Sequence, residues 1–171
     1  MASPAKLAHI VLRTGRLREM VDWYVEVLEG HVVYGDDLLC FVTYDDEHHR
    51  VAFVATGATQ QPTQLHTGLH HVAFAYATLA DLLDTYLRLK TEGVQPCWTI
   101  NHGPTTSMYF ADPDGNHVEL QYDNFATDEE LQAFFDSGAF AANPIGVEFD
   151  PEELVRRFQA GEPVEQLVKL S

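Results

Sequence analysis

Gly68-Leu69-His70-His71-Val72-Ala73-Phe74-Ala75 reads as a β-strand that opens on two adjacent histidines. Successive strand residues face opposite sides. Leu69, His71, Ala73 and Ala75 therefore share one face, and His70, Val72, Phe74 and Tyr76 the other. The second face is bulky and suits packing against helices. The first is small from Ala73 onward, as beside a cavity, so parity selects His71 as the residue that faces open space. Leu7-Ala8-His9-Ile10-Val11-Leu12 has the same form. There Ile10 and Leu12 take the packing side, and His9 faces the other way with Val11. Two like strands about sixty residues apart predict a duplicated unit whose halves each offer one histidine.

Working outward, the hydrophobic pattern gives the same element order twice. Strand 7–13 is followed by a helix over Arg16 to Glu29, with Leu17, Met20, Val21, Tyr24 and Leu28 on one stripe and Gly30 as its stop. Strands follow over 31–34, 38–44 and 49–55. Residues 56–67 are polar and turn-rich and read as a connection. Strand 69–76, helix 78–90 ended by Gly93, and strands 95–100, 107–111 and 117–122 complete the second half, the last two joined by a turn at Asp112-Pro113-Asp114-Gly115. The expected fold class is α+β: two paired βαβββ modules, about 7–55 and 69–122, forming one curved mixed sheet around a central cleft. Residues 1–122 then make one domain and 123–171 a helical C-terminal extension. In that extension Thr127 caps a helix over 128–136, Asp150 and Pro151 open another through about Gln159, and 165–170 form a short third. Phe134, Phe135 and Phe140 need somewhere to bury. The tail covers the cleft or packs on a neighbouring subunit.

Composition bounds the function. The 171 residues are 46% hydrophobic and carry a formal net charge of −16, which argues against nucleic acid as a partner. No apolar run approaches a membrane span, and Met1 to Lys6 lack a secretory apolar segment, so a cytoplasmic protein is expected. Cys40 and Cys97 are too few for a disulfide framework and read as reduced core or cavity residues.

The strand after the turn alternates Val118, Leu120 and Tyr122 with His117, Glu119 and Gln121. Glu119 faces away from its apolar neighbours. Opposite His9 and His71, it gives two imidazoles and one carboxylate, a set that holds a divalent first-row metal and leaves positions open.

These residues resemble the vicinal oxygen chelate superfamily, which includes glyoxalase I, bleomycin-resistance proteins and type I extradiol dioxygenases. Leu7-Ala8-His9 resembles the first ligand strand, Leu69 to Phe74 the second, and Asp112-Pro113-Asp114-Gly115-Asn116 leading to Glu119 the third; residues 7–122 are covered. Three further matches are similar to the extradiol branch. His49-Arg50-Val51-Ala52-Phe53 resembles the strand with the acid–base histidine, although the link from His49 to His71 is longer than usual. Tyr109 precedes Glu119 by ten positions, as the branch's active-site tyrosine does. Asn101-His102-Gly103 resembles its histidine-glycine, with a loop about two residues shorter.

The resemblance implies Fe(II), with Mn(II) as the alternative, on His9, His71 and Glu119. Catalysis would rest on His49, Tyr109 and His102, with a small aromatic diol and O2 as reactants. His49 would exchange a proton, and Tyr109 and His102 would hydrogen-bond the reacting oxygens. A homodimer or higher homo-oligomer is expected. Two other readings stay open: a glyoxalase- or epimerase-like metal-dependent isomerase or lyase, and a non-catalytic small-molecule-sequestering protein. The first would add a carboxylate or amide ligand from Arg50 to Ala55, which has none.

Overall fold

The computed structural model describes residues 2–60 and 67–170; part of the expected connection, 61–66, lies outside the described residues. The chain forms two compact units, Met1–Gly68 with Asp112–Asn116, and Leu69–Ala111 with His117–Ser171.

In the first unit, β1 (Ile10–Thr14), α1 (Leu17–Leu28), β2 (His31–Gly35), β3 (Leu39–Thr43) and β4 (Val51–Ala55) follow in order. Their sheet runs β1-β4-β3-β2, with β1 and β4 parallel. Met20, Tyr24 and Val27 of α1 are buried, as are Cys40, Val42, Val51 and Phe53 of β3 and β4. Removing each large apolar side chain from water contributes about 1.5–3 kcal/mol. Ile10 and Leu12 are half-buried while Val11 is exposed, which is the parity expected of β1.

Helix α1 ends one residue earlier than Gly30 predicts. Glu29 takes the left-handed conformation (φ 49°), and the Gly30 N–H closes the turn on the Val25 carbonyl at 2.9 Å. Glycine is needed at 30 for a different reason: a Cβ there would lie 2.7 Å from the Thr43 carbonyl oxygen.

The second unit repeats the order with β5 (His71–Tyr76), α2 (Leu79–Thr91), β6 (Trp98–Asn101), β7 (Thr105–Ala111) and β8 (His117–Asp123). Its sheet runs β5-β8-β7-β6-β9, so the first four strands match the first unit's order. Leu79, Leu82, Leu83, Tyr86 and Leu89 of α2 are buried, as are Met108, Phe110, Val118 and Leu120 of the sheet. Thr78 caps α2 by accepting from the Asp81 N–H at 3.1 Å. On β5, Ala73 and Ala75 are exposed and Val72, Phe74 and Tyr76 half-buried.

The α+β class is as expected. The strands form two hydrogen-bonded sheets rather than one, because β1 pairs with β4 and β5 with β8 inside their own modules.

The tail carries α3 (Asp128–Asp136), α4 (Ala139–Ala142), β9 (Val147–Glu148), α5 (Pro151–Gln159) and α6 (Val164–Leu167). Thr127 and Glu130 form a capping box on α3, and Asp150 caps α5 with Pro151 in its first turn. The tail is not wholly helical. Strand β9 pairs with β6, Ile100 with Glu148 and Asn101 with Val147, so the tail extends the second sheet. The phenylalanines pack on one another: Phe134 lies 5.3 Å from Phe125 and Phe135 lies 5.2 Å from Phe140, between ring centres. Both cysteines are free; Cys40 is buried as expected, but Cys97 is exposed, its thiol on the Tyr109 carbonyl at 3.3 Å.

Candidate functional site

The second unit brings four of the expected residues into one run of contacts. Tyr109 and Glu119 are direct cross-strand partners, because the turn between β7 and β8 reverses the chain midway between them. Their spacing of ten is thus a hairpin register. His71 pairs beside His117 on the parallel neighbour, and Ala73 beside Glu119, so all share one face. The Glu119 carboxylate is buried; its Oε2 lies 3.0 Å from His71 Nε2, and its charge acts on the neighbouring Tyr109 hydroxyl. His71 is further held by His70, their Nδ1 atoms 2.8 Å apart. Burial, and next the Glu119 charge, push the Tyr109 hydroxyl well above the usual phenol range, so it stays protonated and able to donate. His102 Nε2 sits 3.0 Å from the Tyr109 oxygen, and its Nδ1 sits 2.5 Å from the Ile145 carbonyl oxygen.

The turn behind this arrangement is built by Asp112. Its Oδ1 accepts from the Asp114 and Asn116 N–H groups at 2.9 and 2.8 Å. Its Oδ2 accepts from Asn116 Nδ2 at 2.8 Å and from the Tyr24 hydroxyl of α1 at 3.2 Å. This is why an Asp-Pro-Asp-Gly-Asn run reverses the chain so sharply.

The other two expected residues lie together in the first unit. His9 directly precedes β1, and His49 precedes β4 by two positions rather than lying within it. Their rings are 4.3 Å apart, and Phe41 stacks on His49 at 4.3 Å and 9°. His48 Nδ1 lies 2.6 Å from His49 Nδ1. His49 is buried, not a solvated turn residue; burial first, then His9 and His48, hold its pKa below the usual imidazole value. Arg50 ties both segments down. It donates to the Leu7 and Ala8 carbonyls at 3.0 and 3.2 Å and bonds Asp45 through Nε and Nη2.

Among the described residues no group of three or more His, Cys, Asp or Glu is placed to hold a metal ion. The donor chemistry nonetheless suits one: His71 Nε2 and Glu119 Oε2 are neighbours, and imidazole with carboxylate is a set that first-row divalent ions accept.

Two aromatic residues escaped the sequence reading. Trp98 is the cross-strand partner of Tyr109, with ring centres 5.0 Å apart, and lies 5.7 Å from His102. Phe41 is the platform under His49. The β6–β7 hairpin register would have found Trp98; nothing local marks Phe41.

Residues 6–120 match the Glyoxalase/Bleomycin resistance protein/Dioxygenase superfamily. The chain belongs to that superfamily. It is 46% identical over 168 residues to a biphenyl-2,3-diol 1,2-dioxygenase 2 of Rhodococcus globerulus, covering 98% of this chain and 88% of the relative. It is 44% identical over 169 residues to a biphenyl-2,3-diol 1,2-dioxygenase 3 of the same organism, covering 98% and 89%. In structure it is similar to a glyoxylase/bleomycin resistance protein/dioxygenase domain from Frankia sp. EAN1pec. That likeness has a TM-score of 0.59 and 21% identity over 71% of this chain and 99% of the other, and it speaks for the fold.

Proposed function

We propose that this chain is a ring-cleaving extradiol dioxygenase that inserts O2 into a catechol-type substrate at a mononuclear Fe(II) site, with Mn(II) as the alternative metal. The observation that carries the reaction class is the near-full-length likeness to two biphenyl-2,3-diol 1,2-dioxygenases. His9, His71 and Glu119 are the proposed ligands, and the adjacency of His71 to a buried Glu119 supports two of them. When bound, the metal supplies chelation of the two diol oxygens and a binding position for dioxygen.

The protein's own groups do the rest. His49 is held neutral by burial and its histidine neighbours, so it accepts a proton from the diol and returns it later. Tyr109, kept protonated, rests with its hydrogen on His102 Nε2 and turns it to oxygen where negative charge develops. His102 holds Tyr109 through Nε2. Ala73 and Ala75 leave open room on the His71 face for an aromatic ring. A homodimer or higher assembly belongs to the same reading, and light scattering reads it directly.

The test is anaerobic loading with Fe(II), measurement of bound iron, and admission of air with a panel of small catechols. Wild-type protein binds one iron per chain and turns a catechol yellow; His71→Ala and Glu119→Ala lose both. His49→Ala keeps the iron and loses about 10²–10⁴-fold in rate. Iron binding without turnover of any catechol would move the reading to a metal-dependent isomerase or lyase. No metal binding at all would move it to a sequestering protein.

A further inference from the structure

The tail grips Asn101, the last residue of β6, and the His102-Gly103 turn that follows it. Asn101 Nδ2 donates to the Val168 carbonyl at 2.7 Å, beyond α6. His102 Nδ1 meets the Ile145 carbonyl at 2.5 Å. Gly103 lies under the Phe134 ring of α3, where a Cβ would come within 2.5 Å of a ring carbon. The Ile145 segment is itself tightly built. Asn143 brackets it, its Nδ2 donating to the Gly146 carbonyl at 2.8 Å and its Oδ1 accepting from the Gly146 N–H at 3.1 Å. Gly146 (φ 105°) presses on the loop, and a Cβ there would lie 2.1 Å from the Asn101 oxygen and 2.8 Å from His102 Cα.

A carbonyl oxygen can only accept a hydrogen bond. Hydrogen on Nε2 alone would set the Nδ1 lone pair against the Ile145 oxygen at 2.5 Å. The hydrogen therefore resides on Nδ1, and Nε2 accepts from the Tyr109 hydroxyl. We propose that the Asn143–Gly146 turn is a positioning element for the reaction: its Ile145 carbonyl fixes the tautomer and ring orientation of His102, and through His102 the aim of Tyr109. Its kinetic consequence rests on the dioxygenase reading above; its structural consequence does not.

The test uses the full chain, iron-free for spectroscopy and iron-loaded for kinetics. Nitrogen-15 histidine NMR, with the His102 signals assigned by their loss in His102→Gln, reads the tautomer. Wild-type His102 carries its hydrogen on Nδ1. Asn143→Ala, which frees the turn, and Gly146→Ala, which pushes it off the loop, both move hydrogen onto Nε2. In the loaded enzyme both variants lower kcat about 10- to 100-fold, while KM for the catechol and bound iron stay within twofold of wild type. Hydrogen on Nε2 in the wild type overturns the proposal, as does unchanged kcat in a variant whose tautomer has shifted. If the tautomers behave as stated but the wild type cleaves no catechol, the turn still sets His102 and the dioxygenase reading is what fails.

Discussion

Tyr109 gains its properties from where the hairpin puts it. Across from Glu119 and under Trp98, its hydroxyl is pushed up by burial and by the carboxylate, and remains a donor throughout the neutral range. Tyr109→Phe keeps the ring and its packing and removes only that donor. The expected result is a kcat about 10²-fold lower with iron binding retained, read by single-turnover kinetics; a wild-type rate would leave Tyr109 a packing residue. Much at this scale was legible in advance. Strand parity alone selects His71 over His70; the ten-position spacing of Tyr109 and Glu119 is read through the family resemblance, and the structure shows it to be a hairpin register. What was not legible is long-range: the burial of His49 depends on Phe41 from β3, and the partner of His102 Nδ1 lies 43 positions away in the sequence.

Elements here are joined by single polar side chains. Asp112 holds its own turn and reaches Tyr24 of α1, gathering four hydrogen bonds. Asp112→Ala leaves those donors without their acceptor in a buried place and is expected to cost about 3 kcal/mol in denaturant unfolding, with an unchanged m value. A loss under about 0.5 kcal/mol would mean the turn holds without it. The tail depends on a second carboxylate. Glu152 of α5 bonds Lys90 and Tyr86 of α2, and these hold its pKa below the usual carboxylate range, Lys90 first. A carboxyl lowered in the fold contributes stability above its unfolded pKa of about 4.3, and that contribution disappears as pH falls through the folded value. Hydrogen-exchange protection of α5 should therefore fall on acidification more steeply than that of β7 and β8, and Glu152→Gln should remove the excess. An equal acid loss in the variant would assign it elsewhere. Caps made the tail helices readable: Thr127 and Asp150-Pro151 fell where the pattern put them, while Thr78, read as the first residue of its helix, is the N-cap. Strand β9 was not readable, because two residues carry no period and their pairing with β6 is decided by the tertiary fold.

Two modules of one strand order present different side chains in this chain. The first holds His9 and His49 on a seat made by Phe41 and Arg50; the second holds His71, Glu119, Tyr109 and His102, with a tail outside the family match that grips the His102 loop. Duplication was visible from the repeated element order, whereas the division into two sheets was not, since strand pairing within a module is a contact between sequence-distant segments. Among the described residues no helix is long and apolar enough to cross a membrane, and the net charge of −16 gives no footing for a polyanion. The likeness to two biphenyl-2,3-diol 1,2-dioxygenases points to an aromatic diol and O2 as the reactants. The most direct measurement is the mass of the product when the iron-loaded protein meets biphenyl-2,3-diol and O2, with oxygen uptake followed in parallel. The account predicts one O2 consumed per diol and a ring-opened product heavier than the substrate by both oxygen atoms, cleaved beside rather than between the two hydroxyl carbons. A product isomeric with its substrate, or a diol returned intact with no oxygen consumed, would contradict it.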